Sequence, residues 1–210
     1  MEGVIERLGM KLGEKRKKGI ATLSAFEFNQ QKDPMYNIRM IINSGAVFRV
    51  FDGEYVRLVV NGDLVMSDTT MERRSNKEFV NKANGRVFIA GLGIGLILHN
   101  LREKVKSGEV VEIVVMEKYK DVIDLVSPHY IDLPITYIEA DALEYKPGKE
   151  EIYDTIYFDI WPHVTDDNLD EIKMLHNRWK NRKRKGNPNA WMNSWMKEFL
   201  QRERARERKY

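Results

Sequence analysis

The stretch Arg86-Val87-Phe88-Ile89-Ala90-Gly91-Leu92-Gly93-Ile94-Gly95 constrains this chain more than any other. A short apolar run breaks into a glycine at every second position, and an apolar pattern of helical period, Leu96 to Val105, follows at once. That order predicts strand, tight turn and helix. Glycines at 91, 93 and 95 allow a sharp turn and a close backbone approach to a ligand, while the helix behind them offers free N–H groups at its start. A purely structural turn needs glycine as well, so the turn alone does not separate a packing device from a cofactor cradle.

Downstream the pattern alternates. We expect strands at 87–90, 110–116, 135–138 and 153–158, with helices at 96–106 and 119–126 between them. Runs such as Val110-Val111-Glu112-Ile113-Val114-Val115-Met116 suit strands buried on both faces, as a parallel sheet covered by helices requires. The fold class is therefore α/β, a doubly wound, mostly parallel, Rossmann-like sheet. The region 140–151, with Pro147-Gly148, reads mostly as loop. A helix is expected from Asp166 to about Lys185, capped by Thr165, Asp166 or Asp167. Gly186-Asn187-Pro188-Asn189 stops it, 190–195 offers one more strand, and 196–209 a charged helix.

Upstream, residues 1–35 are rich in charge and poor in apolar periodicity, with Lys15-Arg16-Lys17-Lys18 between Gly13 and Gly19, and read as a loosely packed polar arm. Residues 36–84 read as N-terminal β-hairpins and a helix. The β runs are 38–42, 46–51 and 55–66, with Asp52-Gly53 and Asn61-Gly62 as hairpin turns. Thr69 and Glu72 stand at capping-box spacing before a helix to about Lys82. The division is thus 1–35 arm, 36–84 hairpins and helix, 85–195 cofactor-binding domain and 196–210 basic helical tail.

The 210 residues suffice for one core. With no cysteine there is neither a disulfide nor a thiolate metal site, and the histidines show no ligand spacing, so no metal site is expected. No secretory leader pattern and no membrane-length apolar run occurs, which predicts a soluble, cytoplasmic protein with no membrane partner. The net charge of +3 is unevenly spread. Residues 178–210 hold twelve Lys or Arg against three Glu, a local +9 that leaves −6 on the rest. The basic tail is a candidate contact for nucleic acid or another anionic partner, and equally a solvated helix.

In an open parallel sheet ligands bind beyond the carboxyl ends of the strands. The second strand ends in Glu117, twenty-two residues after Gly95, where an acid can accept both hydroxyls of a ribose. The third ends in Glu139-Ala140-Asp141-Ala142 and the fourth in Asp159-Ile160-Trp161-Pro162, so three strands deliver carboxylates to one edge. Together with the glycine turn they point to a nucleoside-type cofactor.

Residues 86–162 resemble the core of class I S-adenosylmethionine-dependent methyltransferases, and within them the spermidine synthase-like branch. The glycine motif with Ile89 two before the first glycine and Glu117-Lys118-Tyr119-Lys120-Asp121-Val122-Ile123 carry the resemblance. It implies that Gly91, Gly93 and Gly95 cradle the cofactor and that Glu117 holds the ribose. It further implies that Asp141-Ala142 meets the adenine and that Asp159 is the acid at the reacting centre. The cofactor implied is S-adenosylmethionine or its decarboxylated form. Trp161 is a candidate stacking group for an acceptor, or a core residue with Trp179, Trp191 and Trp195, and Asp154 a stabiliser of its strand start.

Two departures bear on the reaction. The branch's second acid, three residues after the first, is Pro162 here, and its hairpin glutamine falls near Val65. The C-terminus also reads as shortened, without the closing hairpin of the usual sheet, which leaves open a homo-oligomer in which another subunit completes the edge. The first expectation is a methyltransferase of unknown acceptor, the second an aminopropyltransferase. The third is a non-catalytic nucleoside-binding or assembly protein with a basic tail.

Overall fold

The computed structural model describes residues 8–33, 35, 37 and 49–207. Within them, the alternating segments downstream of residue 84 form a five-stranded parallel sheet: β5 (Gly85–Ala90), β6 (Val110–Glu117), β7 (Ile135–Glu139), β8 (Thr155–Phe158) and β9 (Trp191–Ser194). The order is β7-β6-β5-β8-β9, every pair parallel. The chain steps outward from β5 through β6 to β7, then returns to the other side of β5 for β8 and β9. Right-handed crossovers in the two directions put helices on opposite faces, which is the doubly wound, Rossmann-like arrangement expected. The reversal leaves a crevice between the carboxyl ends of β5 and β8.

Both faces of the sheet are covered, which is why its strands read as continuous apolar runs. All four residues of β8 are buried. On one face Trp179, closing helix α5 (Asp167–Trp179), stacks on Phe88 with ring centroids 4.2 Å apart and meets Phe158 edge-on. On the other, Phe79 of α2 (Lys77–Lys82) stacks on Tyr157 at 4.5 Å. Helices α3 (Leu96–Lys106) and α4 (Lys120–Val126) make the crossovers on either side of β6. Asp154 secures the start of β8. It accepts from the Arg86 N–H at 2.9 Å, the Arg184 guanidinium at 2.8 Å and the Asn187 amide at 2.7 Å. These partners outweigh the upward push of burial and hold its pKa below the usual value.

The N-terminal part differs from expectation. Residues 15–28, expected in a loose arm, form β1 (Lys15–Lys18) and β2 (Ala21–Phe28), the first half of a four-stranded antiparallel sheet with β3 (Gly53–Val60) and β4 (Asp63–Ser67). β2 buries Ala21, Leu23 and Ala25 at period two, a weak apolar signal because two of the three are alanines. Lysine-rich β1 is the exposed edge, where charge blocks further strand pairing. The sheet docks on α4, with the Ile20 N–H donating to Asp121 at 3.1 Å.

Asn61-Gly62 is a hairpin turn as expected, with φ of 53° and 91° matching a type I′ turn. Asp52-Gly53 is not: Gly53 opens β3 in extended backbone, and Asp52 accepts the Gln30 N–H. The run 38–42 and residues 46–48 of the run 46–51 lie outside the described residues. The helix expected to Lys82 is two short helices, α1 (Thr70–Ser75) and α2, meeting at Asn76. Thr69 and Asp166 stand at their helix N-caps without a side-chain capping bond, so neither the capping box nor the Asp166 cap forms. At the C-terminal end α5 passes into a short 3-10 turn at Lys180–Arg182. α6 (Lys197–Glu207) then packs Leu200 into the core rather than standing wholly in solvent. Among the described residues no helix is long and apolar enough to cross a membrane.

Candidate functional site

The crevice at the sheet reversal is a cleft of about 460 Å³. It is built from the glycine turn, the loops after β6, β7 and β8, and a wall from the N-terminal sheet. After Ala90 the chain must turn within hydrogen-bond reach of both neighbouring strands: the Gly91 N–H donates to the Met116 carbonyl, and Asp159 N–H to the Ala90 carbonyl, each at 2.8 Å. Gly91 has φ of 99°, and a Cβ there would stand 2.0 Å from the Asp159 carbonyl oxygen. Glycine at 91 is therefore what lets the end of β8 come so close. Gly91 and Gly93 line the cleft, whereas Gly95 does not: its αL backbone caps α3 against the Tyr130 ring.

Glu117 fastens the turn from the end of β6. It is 8 % exposed, and its Oε2 and Oε1 accept the Leu92 and Tyr119 N–H groups, both at 3.0 Å. Burial raises its pKa against the pull of those amides. The Lys118 N–H also bonds to this carboxylate, and the acceptor capacity that remains is available to a ligand hydroxyl. Asp141, after β7, accepts the Leu143 N–H on Oδ1 and the Lys118 ammonium on Oδ2, both at 2.9 Å. Burial pushes its pKa up, and Lys118 with the Leu143 amide more than reverses this, so it lies below the usual value. Ala142 lines the cleft beside it and is itself buried.

Asp159 follows β8, on the other side of β5 from β6 and β7. Its pKa is raised by burial to about 7, with the Asn76 side-chain hydrogen bond opposing. Asn76 links two elements there: its side-chain oxygen accepts from the Tyr157 hydroxyl at 3.0 Å, and its Nδ2 donates to the Glu72 carbonyl at 3.2 Å. Trp161 lines the cleft with its Nε1 donating to Glu171 at 2.5 Å, and Trp195 lines it with Nε1 on Ser75 at 2.9 Å. Trp179 is wholly buried, and Trp161 and Trp195 belong to the same hydrophobic core with Trp191 packed against it, as the core-set reading expects.

Sequence reasoning missed Glu72. Its spacing from Thr69 suggested a cap, but the side chain lines the cleft instead, and its pKa is driven up to about 8, first by burial and then by the Asp159 carboxylate. Two carboxyl groups thus line the cleft and influence each other where the sequence, with Pro162 after Asp159, offered one. The β3–β4 hairpin adds apolar side chains, Leu58, Val60, Val65 and Met66, with Asn61 and Asp63 beside them. Val65 stands in the cleft, as the resemblance placed it. Among the described residues no three His, Asp or Glu are grouped to hold a metal.

No family model and no curated protein matches the chain. Solved structures do. One is an S-adenosylmethionine-dependent methyltransferase from Leishmania major, 16 % identical over 59 % of this chain and 48 % of that one, with a TM-score of 0.44. Another, from Clostridium acetobutylicum, is 11 % identical over 55 % and 46 %, with a TM-score of 0.38. TrmK of M. capricolum, solved with S-adenosylhomocysteine, is 14 % identical over 50 % and 45 %, TM-score 0.38. A putative Zn-dependent alcohol dehydrogenase from Rhodobacter sphaeroides is 19 % identical over 42 % and 34 %, TM-score 0.32. The match spans about half or less of each of those chains. Function is argued from the site.

Proposed function

We propose that the chain is an S-adenosylmethionine-dependent transferase, in the first place a methyltransferase. The observation that carries this is that Gly91, Gly93, Glu117, Asp141, Ala142 and Asp159, from the ends of four parallel strands, all line a single cleft. The donor set suits an adenosyl group. Glu117 would take a ribose hydroxyl on its remaining acceptor capacity, and Asp141 the adenine amine beside buried Ala142. When bound, such a cofactor supplies a carbon made electrophilic by a cationic sulfur. The protein's share is to hold an acceptor in line with that carbon, exclude water with the Leu58, Val60, Val65 and Met66 wall, and take the acceptor's proton at Asp159.

Calorimetry with S-adenosylmethionine tests the reading: micromolar binding in the wild type, weakened in Glu117→Ala, supports it, and no binding overturns it. Aminopropyl transfer is the second reading, favoured by Glu72, which gives the cleft a second acid despite Pro162. Assaying with ordinary and decarboxylated cofactor, and identifying which nucleoside product accumulates, separates the two. The basic stretch from Arg178 onward is proposed to contact an anionic partner such as nucleic acid, and binding that falls steeply with salt would support it.

A further inference from the structure

We propose that Glu72 and Asp159 act as one acid–base unit, two carboxyl groups holding a single proton between them at the acceptor end of the cleft. The geometry brings them there from different elements. Glu72 comes from α1, which follows the N-terminal sheet, and Asp159 from the end of β8. Both side chains line the same cleft. Asn76, one helical turn beyond Glu72, bonds to the Glu72 carbonyl, to the Tyr157 hydroxyl and to Asp159, so α1 and the end of β8 share one anchor.

The surroundings leave the pair's charge unbalanced. From β8, Tyr157 presents a hydroxyl engaged by Asn76. From the loop beyond it come Trp161 and His163, and from the β3–β4 hairpin the apolar wall and Asp63. Arg73, next to Glu72, is committed to Asp68 at 3.0 Å. Of the described residues that line the cleft, Lys118 is the one Lys or Arg, and it is held by Asp141 at 2.9 Å. Two like charges in a half-dry site without a counter-ion retain a proton. Burial and then the Asp159 carboxylate push Glu72 up, while burial alone raises Asp159 against the Asn76 hydrogen bond.

The inference rests on the transferase reading for what the proton is used for. An acceptor ammonium passes one proton to the ionised oxygen of the pair: an N–H bond breaks, an O–H bond forms, and the nitrogen keeps the electron pair. A carboxylate whose pKa is raised accepts from an alkylammonium with a smaller mismatch than an ordinary one. The pair's single negative charge also matches one positive charge on the acceptor.

The test follows the two carboxyl signals by NMR of protein carrying 13C-labelled Asp and Glu side chains, in the wild type, Glu72→Gln and Asp159→Asn. Removing either charge should lower the other group's midpoint by about one unit or more, by the same amount in both directions because the coupling is reciprocal. Midpoints unchanged in both variants would overturn the proposal. If one variant fails to fold, the other decides alone. The titration is independent of turnover, so a chain that binds no S-adenosylmethionine yet shows the coupling would sink the transferase reading and spare the pair. With turnover, the acid limb of kcat/KM should move to lower pH in Glu72→Gln, and an unmoved limb counts against the pair's role.

Discussion

The Leu92 N–H donates to Glu117 Oε2 at 3.0 Å, locking the glycine turn after β5 to the carboxylate at the end of β6. One side chain thus shapes the turn and presents its remaining acceptor capacity to the cleft. Glu117→Ala is expected to weaken S-adenosylmethionine binding by about 1–3 kcal/mol, the cost of leaving buried polar groups unpaired. Glu117→Gln should lie between, since its amide nitrogen cannot accept a backbone N–H. Calorimetry on both variants checks this; an alanine variant with wild-type affinity would remove Glu117 from the ribose site.

Gly91 controls how near β8 comes to the turn. Gly91→Ala combines a left-handed φ with a Cβ 2.0 Å from the Asp159 carbonyl, and the obstruction is backbone. Gly108→Ala supplies the control, because its φ is also positive, at 77°, with nothing within 4 Å. The control should cost about 1–2 kcal/mol from the left-handed conformation alone. Gly91→Ala should cost clearly more and move Asp159. Urea midpoints of the two variants make the comparison, and equal losses would mean that the end of β8 gives way freely.

The parallel sheet was legible because strands buried on both faces carry an unmistakable apolar run. Helix Leu96–Lys106 was legible because its apolar face recurs between a glycine turn and Gly108. Glu117, Asp141 and Asp159 could be placed at one sheet edge because they stand at the carboxyl ends of predicted strands, and the structure gathers them in one cleft. The N-terminal sheet was half hidden, since β2 buries alanines, and β1 is an edge whose lysines look like a solvated arm. Glu72 was hidden for another reason. Its role depends on how the break at Asn76 sets α1 against the end of β8, a tertiary relation that a spacing rule reads as a cap.

Stability should respond to pH through the same two acids. Glu72 and Asp159 have folded pKa values of about 8 and about 7, above their ordinary 4.5 and 3.8. The folded state therefore holds their protons to higher pH than the unfolded chain, and their contribution to stability declines as pH rises from about 4 to about 8. His176 works oppositely in part of this window: burial lowers its pKa from 6.5 to about 4, so its contribution falls as pH drops through that range. The difference between variant and wild type isolates the pair. Glu72→Gln is expected to melt higher than wild type at pH 8.5, by about 2–4 °C for each 1 kcal/mol relieved, with the gap closing towards pH 4. Thermal melts across that range decide it, and a gap independent of pH would contradict the raised values.

The charged C-terminal helix gives a last expectation, because its composition and its packing disagree. Residues Lys197–Glu207 hold seven charged side chains out of eleven, a pattern that suits solvent. Yet Leu200 is only 4 % exposed and belongs to the main core, and the Arg204 guanidinium donates to the Asp166 carbonyl at 2.7 Å across the start of α5. Leu200→Ala should destabilise the protein by about 2–5 kcal/mol, as truncation of a buried leucine does. Neighbouring Gln201→Ala, at an exposed position, should stay within about 0.5 kcal/mol. Denaturant melts of the two variants settle the matter: if Leu200→Ala is as mild as Gln201→Ala, the helix is a solvated appendage, and if not, deleting it would disturb the fold before it tested any binding partner.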